Sequence, residues 1–456
     1  MKIAIIGAGW AGLAAAVEAT QAGHHAIVFE AAKAVGGRAR GLNATLPDGS
    51  SGTLDNGQHI LIGAYTETLR LLRRVGVEPD TALLSLPLTL RFPDGRGLQF
   101  PAWPTPLDAF AGIVSARGWH VADKWTLLRV ALGWQQGGFQ CSASDSVADL
   151  CRGLSPRVKA ELIDPLCVSA LNTPSEQASA QVFLRVLQDA LFGVAGGSRL
   201  LLPRVNLSEL FPTAAARWLL EHGGQLRLGC RVESVRPQGA QWRVDAGSAP
   251  GAIASGELFD AVIFAATASE SARVLDGTLQ AAPESIAGQI RQWTAVTRAL
   301  RFQAITTVYA WGAGATLAHP MLCLRSDAPN PAQFVFDRGQ LGGAQGLLAF
   351  VVSASSGERA VLQTQVLAQA QQQLGLTLQT VQTIVEKRAT FACTPGLQRP
   401  DCQIAPGLLA CGDYVAGPYP ATLEGAIRSG MAAVKATVMG AYDPAPRGAS
   451  TKETAP

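Results

Sequence analysis

Short runs of consecutive apolar residues punctuate this chain, each bounded by glycine or by polar turn residues. Residues 2–6 (KIAII) are one such run, rich in β-branched residues, which predicts a strand buried on both faces. An alanine-rich stretch from Ala11 to Gln21 predicts a helix stopped by Gly23. Ala26–Glu30 (AIVFE) predicts a second strand, so residues 2–30 read as a βαβ unit.

From about residue 76 to 205 the pattern changes. Pro, Trp and Leu become frequent, and helices are predicted over Lys124–Gln135 and Ser179–Leu191. A helix over Leu207–Glu221 lies between the pairs Gly196-Gly197 and Gly223-Gly224, and the alternation in QLRLGCRVESV (225–235) predicts half-buried strands. DAVIFA (260–265), apolar after Asp260, predicts another buried strand. Residues 290–385 mix strand-like runs (ITTVYAW, LLAFVVS) with a Gln-rich helix from Ala360 to Gln373. LLACGDYV and ATLEGAIRSGMAAVKATVMGA then read as strand, turn and long helix, and the Pro-, Ser- and Thr-rich tail from Asp443 is expected to be disordered.

Composition narrows the function classes. A 456-residue chain, 48% hydrophobic and 16% charged, builds more than one packed lobe and is not dominated by disorder. A net charge of +3 gives no reason to expect nucleic acid as a partner. Eight cysteines without a CxxC pair fit neither a zinc ribbon nor a secreted disulfide framework, and read as free thiols in a reducing cytosol. Lys2 and the apolar run after it imitate a signal peptide, but the glycine spacing inside argues otherwise. No run of about 18 apolar residues predicts a membrane-spanning helix, and peripheral attachment to the inner face of a membrane stays open. His24, His25, His120, His222 and His319 have no ligand spacing, so no metal site is expected. Trp103, Trp119, Trp125 and Trp134 could line an apolar tunnel, sit at a membrane interface or pack in the core.

Gly7, Gly9 and Gly12 form a GxGxxG pattern between the first strand and the first helix. Gly7 permits the tight turn, Gly9 lets the backbone approach a pyrophosphate, and Gly12 allows close helix–sheet packing. The helix start at Trp10 and Ala11 offers free N–H groups to phosphate. Glu30, 18 residues after Gly12, ends the second strand where it can accept hydrogen bonds from adenosine ribose hydroxyls and disfavour a 2′-phosphate. These residues point to a bound dinucleotide.

The segment after Glu30 resembles a known family. Gly36, Gly37 and Arg38 (VGGRAR) stand where flavoproteins of the amine oxidase and phytoene desaturase group carry a Gly-Gly-Arg segment along the FAD pyrophosphate. Gly412 and Asp413 end a strand, and Thr422, Leu423 and Glu424 open a helix, as in that group. The resemblance implies that Asp413 holds the ribityl chain, that the helix start faces the pyrimidine edge, where it stabilises negative charge, and that Val232 contacts adenine through its backbone. More narrowly, DNGQH (55–59), GGSRLLLPR (196–204) and CGDYVAGPYPATLEGAIRSG (411–430) resemble the hydroxysqualene dehydroxylases, with likeness from the N-terminus to about residue 440. Many relatives carry a proline after the strand that corresponds to DAVIFA, where this chain has Ala265, Ala266 and Thr267.

That resemblance implies FAD as cofactor and reductive removal of an allylic hydroxyl from hydroxysqualene, giving squalene for hopanoid synthesis. Hydride would come from N5 of the reduced flavin while the hydroxyl leaves as water, which demands a proton and a dry pocket. Asp55 and His59 are the candidate proton donors, against the alternative that both merely fix loop geometry. The electron donor to the flavin is not specified by a single dinucleotide fingerprint. Two other readings stay open: oxidative desaturation of a carotenoid precursor or amine oxidation, and a non-catalytic FAD protein that binds a lipid or partner. The expected architecture is α/β, a Rossmann-like doubly wound FAD-binding domain with an inserted α+β substrate domain. Residues 1–75, 206–275 and 386–442 are assigned to the first, 76–205 and 276–385 to the second, and 443–456 to the tail.

Overall fold

A computed structural model of the chain describes residues 1–103, 107–247 and 256–440. The tail expected to be disordered lies outside them. A six-stranded sheet forms the base of the molecule, in the order Gln225–Leu228, His25–Glu30, Lys2–Ile6, Ala261–Phe264, Leu408–Ala410 and Gln403–Ala405. The first five strands pair in parallel and the last is antiparallel. Each parallel strand is nearly all apolar because both faces are covered. Ile3, Ile5, Val28, Ile263 and Leu409 face one core, with the helices Trp10–Gln21, Pro212–Glu221 and Leu423–Gly440. Ala4, Ile6, Phe29, Phe264 and Ala410 face the other, under a three-stranded antiparallel meander over Arg231–Gln238, Gln241–Gly247 and Glu257–Phe259. The alternation of period two along each strand thus separates the two cores. The Rossmann-like α/β arrangement expected from the sequence is the one present.

Two expected elements differ in detail. The helix over Leu207–Glu221 is two, Leu207–Leu210 and Pro212–Glu221, broken at Phe211 (φ −142°, ψ −57°). Pro212 has no N–H to continue the first helix, but it fits the first turn of the second. QLRLGCRVESV contributes to two sheets: Gln225–Leu228 extends the parallel sheet, and Arg231–Gln238 opens the meander.

A second sheet of five antiparallel strands runs in the order Met321–Cys323, Phe334–Asp337, Leu347–Ser355, Phe302–Trp311 and Gln379–Phe391. One face buries Val308, Phe350 and Val352 against Leu362, Val366 and Ala370 of the helix Arg359–Leu374. The opposite face turns Phe334, Phe336 and Val351 toward a large cavity. Strand Gln379–Phe391 runs unbroken through position 386. The sheet of Leu61–Ile62, Leu200–Pro203 and Leu83–Leu86 likewise joins residues on both sides of position 75. Around the cavity's far end stand the helices Leu107–Ser115, Val121–Gln136 and Ala180–Gln188, the last continued by a π-helical turn over Asp189–Gly193.

Candidate active site

One cavity of about 1070 Å³ runs from the glycine turn of the first strand to the helices of the middle segment. Pockets for single small ligands span roughly 300–1,000 Å³, so this one is large enough for more than a small metabolite. Gly7, Gly9, Trp10, Ala11, Glu30, Gly36, Gly37, Arg38, His59, Val232, Gly412, Asp413, Thr422 and Leu423 all line it. Gly12, Asp55 and Glu424 do not appear in its wall.

The chain builds the narrow end from its own backbone. Gly7 adopts φ +115°, and its N–H donates to Phe29 O at 2.7 Å. A Cβ on Gly12 would lie 2.0 Å from Gly7 O, so only glycine lets the helix approach the strand this closely. Gly9 differs: its nearest neighbour across the space a Cβ would take is Gly37 Cα at 4.0 Å, on the opposite rim of a cradle. Gly9 supplies no side-chain cap, so the N–H groups of the first helical turn stay free for an anion. The Gly36–Gly37 turn bridges back to this loop, Gly36 N–H donating to Ala8 O at 2.9 Å. Glu30 accepts from the N–H groups of Ala8 (2.7 Å) and Ala32 (2.8 Å), which fixes its carboxylate at the strand end and leaves lone pairs for further donors.

Arg38 and Asp413, 375 positions apart, form an ion pair across the cavity wall. Arg38 also donates to Ala389 O at 2.8 Å, and the Asp413 carboxylate raises the guanidinium's pKa. The two ends of the chain are thereby locked together at the site. Asn56, not singled out from the sequence, clamps the same turn: its amide donates to Arg38 O at 2.6 Å and accepts from Arg40 N–H at 2.9 Å. Its position inside DNGQH was the available signal. On the C-terminal side, Thr422 Oγ1 accepts from Gly425 N–H at 3.0 Å and caps the long helix. Tyr419 (φ +57°) and Ala421 (φ +58°) hold strained conformations in the preceding turn. Tyr419 sets its ring edge-on to Tyr65 at 6.0 Å, and both tyrosines line the cavity. Burial raises both phenols, that of Tyr419 to about 12, so each stays protonated.

Three expected site residues require correction. Asp55 is 1% exposed and points away from the cavity: its Oδ1 accepts from Leu207 N–H at 2.7 Å, and its Oδ2 lies 3.7 Å from Arg338. Burial pushes its carboxyl up to about 6 against the pull of Arg338. It supports the DNGQH segment from below and does not meet a substrate. Glu424 is fully buried on the far side of its helix, where it accepts from Thr68 N–H (2.8 Å), Thr68 Oγ1 (2.6 Å) and Arg428 Nε (2.7 Å). Its side chain caps the helix Thr66–Arg74 and does not line the cavity. His59 does line the cavity, but burial, reinforced by the charge of Arg38, lowers its pKa. With Nδ1 2.7 Å from Gly57 O, the neutral ring keeps its proton on Nδ1 and presents Nε2 as an acceptor. This environment favours the neutral ring over the imidazolium.

Beyond this end the wall becomes apolar. The residues between 88 and 200 that line the cavity include Phe100, Ile113, Leu127, Leu162, Phe183 and Leu187, and not one of them is charged. Ser169, Asn172, Gln135 and Ser198 are its polar members. Among the described residues no cluster of His, Cys, Asp and Glu could hold a metal ion.

A glycine cradle at a helix start, a strand-end acid and an apolar chamber beyond them define a flavin-dependent oxidoreductase. The model of the flavin containing amine oxidoreductases matches residues 10–438, and the chain belongs to that family. FAD is its cofactor, and the open cradle at Gly9 and Gly37 with free helical N–H groups fits a pyrophosphate there. Hydroxysqualene dehydroxylase of Sinorhizobium fredii is 26% identical over 454 residues, covering 94% of this chain and 96% of its own. The enzyme of that name from Rhodopseudomonas palustris is 25% identical, covering 93% and 96%. Among solved structures, an oxidoreductase from Methanosarcina mazei superposes with a TM-score of 0.70 at 16% identity, covering 95% of this chain and all of that one.

Proposed function

We propose that this enzyme removes the hydroxyl of hydroxysqualene reductively to give squalene. The observation that carries the reading is the uncharged wall of the cavity between residues 88 and 200, continuous with the dinucleotide end. A polyisoprene chain can be desolvated there at no polar cost. The full-length likeness to relatives named hydroxysqualene dehydroxylase supports the same choice.

In this reading a C–O bond breaks, a C–H bond forms, and the hydroxyl leaves as water. Reduced FAD, when bound, supplies the two electrons as hydride. The chain's own residues hold the geometry and exclude water: Arg38, Asp413 and the Gly7–Gly12 turn are assigned to the cofactor, and the apolar wall keeps bulk water from the reacting carbon. Tyr65 and Tyr419, edge to face in the cavity wall, are the hydrogen-bond donors we assign to the departing oxygen, and the proton that completes the water would be the second hydrogen of the reduced cofactor. We further propose the division into a cofactor domain (1–75, 206–275, 386–442) and a substrate domain (76–205, 276–385), with one strand shared across position 386.

The test is a comparison of substrates. Anaerobic, dithionite-reduced holoenzyme is offered hydroxysqualene, and oxidised holoenzyme is offered phytoene or an alkylamine, with products read by mass spectrometry. Squalene from the first alone is expected; desaturated phytoene or an aldehyde, with no squalene, overturns the reading.

A further inference from the structure

Thirteen large hydrophobic side chains are exposed among the described residues; seven fall between Trp103 and Leu132, and two more are Phe192 and Val194. Scattered surface hydrophobes need no explanation, but a contiguous group does. In the helix Leu107–Ser115 the exposed members Leu107, Phe110 and Val114 recur at i, i+3 and i+7 and share one face. In Val121–Gln136 they are Val121, Trp125 and Leu132, at i, i+4 and i+11. Lys124 Nζ donates to Val114 O at 2.6 Å and ties the two helices together. Phe139, just past the second helix, packs on Phe192 with ring centroids 5.2 Å apart.

Leu107, Phe110, Leu132 and Phe192 are exposed and also line the large cavity. The outer apolar face and the inner apolar wall are therefore one surface, joined at the cavity's mouth. The solvent-facing charges of the two helices and the loop between them have one sign. Of the charged side chains between 107 and 140, the acids Asp108 and Asp123 are 5% and 8% exposed, whereas Arg117 and Arg129 face solvent. Aromatic and aliphatic side chains beside basic ones, around an apolar opening, match the depth profile of an anionic lipid leaflet.

We propose that the helices Leu107–Ser115 and Val121–Gln136, with the Phe192–Val194 turn, dock on an anionic phospholipid surface and open the cavity directly to the acyl layer. Among the described residues no helix is long and apolar enough to cross a membrane. Trp103 and Trp125, 60% and 71% exposed, are the interfacial anchors, whereas Trp119 is buried on Glu161 and Trp134 lines the cavity. The inference holds for any apolar substrate and does not depend on hydroxysqualene being the right one.

The test is flotation of holoenzyme with vesicles of phosphatidylcholine alone or with phosphatidylglycerol added. Wild type is expected to float with the anionic vesicles and to be released by salt. The double variant Val121→Asp/Trp125→Glu, at positions outside the cavity wall, is expected to lose binding by roughly tenfold or more. Arg129→Glu is expected to lose roughly fivefold, and both are expected to keep FAD content and melting temperature. Wild type that stays unbound with anionic vesicles, or a double variant that floats like wild type, overturns the proposal. A wild-type dimer in light scattering that the same double variant disperses also overturns it, assigning the face to a second copy. If the double variant loses FAD, Arg129→Glu decides alone.

Discussion

Single residues divide here into those that face the cavity and those that hold its walls. Gly9 and Gly12 belong to one motif but differ in this respect: a side chain on Gly9 enters the cradle, and one on Gly12 strikes Gly7 O. Gly9→Leu is therefore expected to fold, to melt like the wild-type apoprotein and to carry no FAD; absorbance showing stoichiometric flavin in the purified variant would remove Gly9 from the cofactor site. His59 carries a lowered pKa and donates its Nδ1 proton to Gly57 O, which disfavours an imidazolium as the acid. The pH profile of the single-turnover rate from about pH 6 to about 8 should be the same for His59→Gln as for wild type. A falling limb present in wild type and absent in the variant would restore the acid role to His59. What the sequence hid at this scale is direction. Asp55 and His59 lie four positions apart in DNGQH, yet one points to Leu207 and Arg338 and the other to the cavity, and only contacts from distant parts of the chain decide that.

At the scale of elements, strands were the most legible, because burial on both faces demands unbroken apolar runs such as IAII (3–6) and AVIFA (261–265). The helix break at Phe211 was also written in the chain, in the proline that follows it. The role of Glu424 was not, since its partners sit in the helix Thr66–Arg74, 356 positions or more away for Thr68 and Glu67. Glu424→Leu would strand the buried N–H groups of that helix start and the guanidinium of Arg428. We expect a loss of about 2–4 kcal/mol in urea unfolding with FAD still bound at saturating cofactor. Unchanged stability with lost flavin would return Glu424 to the cofactor site. The contact between the first and last helices carries a similar constraint. A Cβ on Gly430 would lie 2.3 Å from Ala11 O, so Gly430→Leu should force the helices apart and lower the melting temperature. A variant that melts like wild type would mean that the backbones can separate without cost.

For the whole molecule, both the ion pair of Arg38 with Asp413 and the buried pair of Asp55 with Arg338 join segments far apart in sequence, and so does the cavity itself. The dinucleotide end was readable because phosphate binding needs glycines at fixed spacing. The apolar chamber was readable only as a Leu- and Trp-rich segment, since its walls come from two sheets and several helices. Asp55 links this architecture to pH. Its carboxyl is raised to about 6 in the fold, above its value in the unfolded chain, so its neutral form stabilises the fold in acid and the benefit is lost as pH rises through about 6. Between about pH 4 and about 7, Asp55→Asn should therefore flatten a decline in stability on the order of 2 kcal/mol, read by urea unfolding across that range. Parallel profiles for variant and wild type would show that the carboxyl does not titrate there. The direction of electron flow remains the central claim, and one anaerobic titration tests it: reduced holoenzyme is mixed with increasing hydroxysqualene while flavin absorbance and squalene are followed together. One squalene is expected for each flavin reoxidised. A flavin that stays reduced in the presence of excess hydroxysqualene, with no squalene formed, would contradict it.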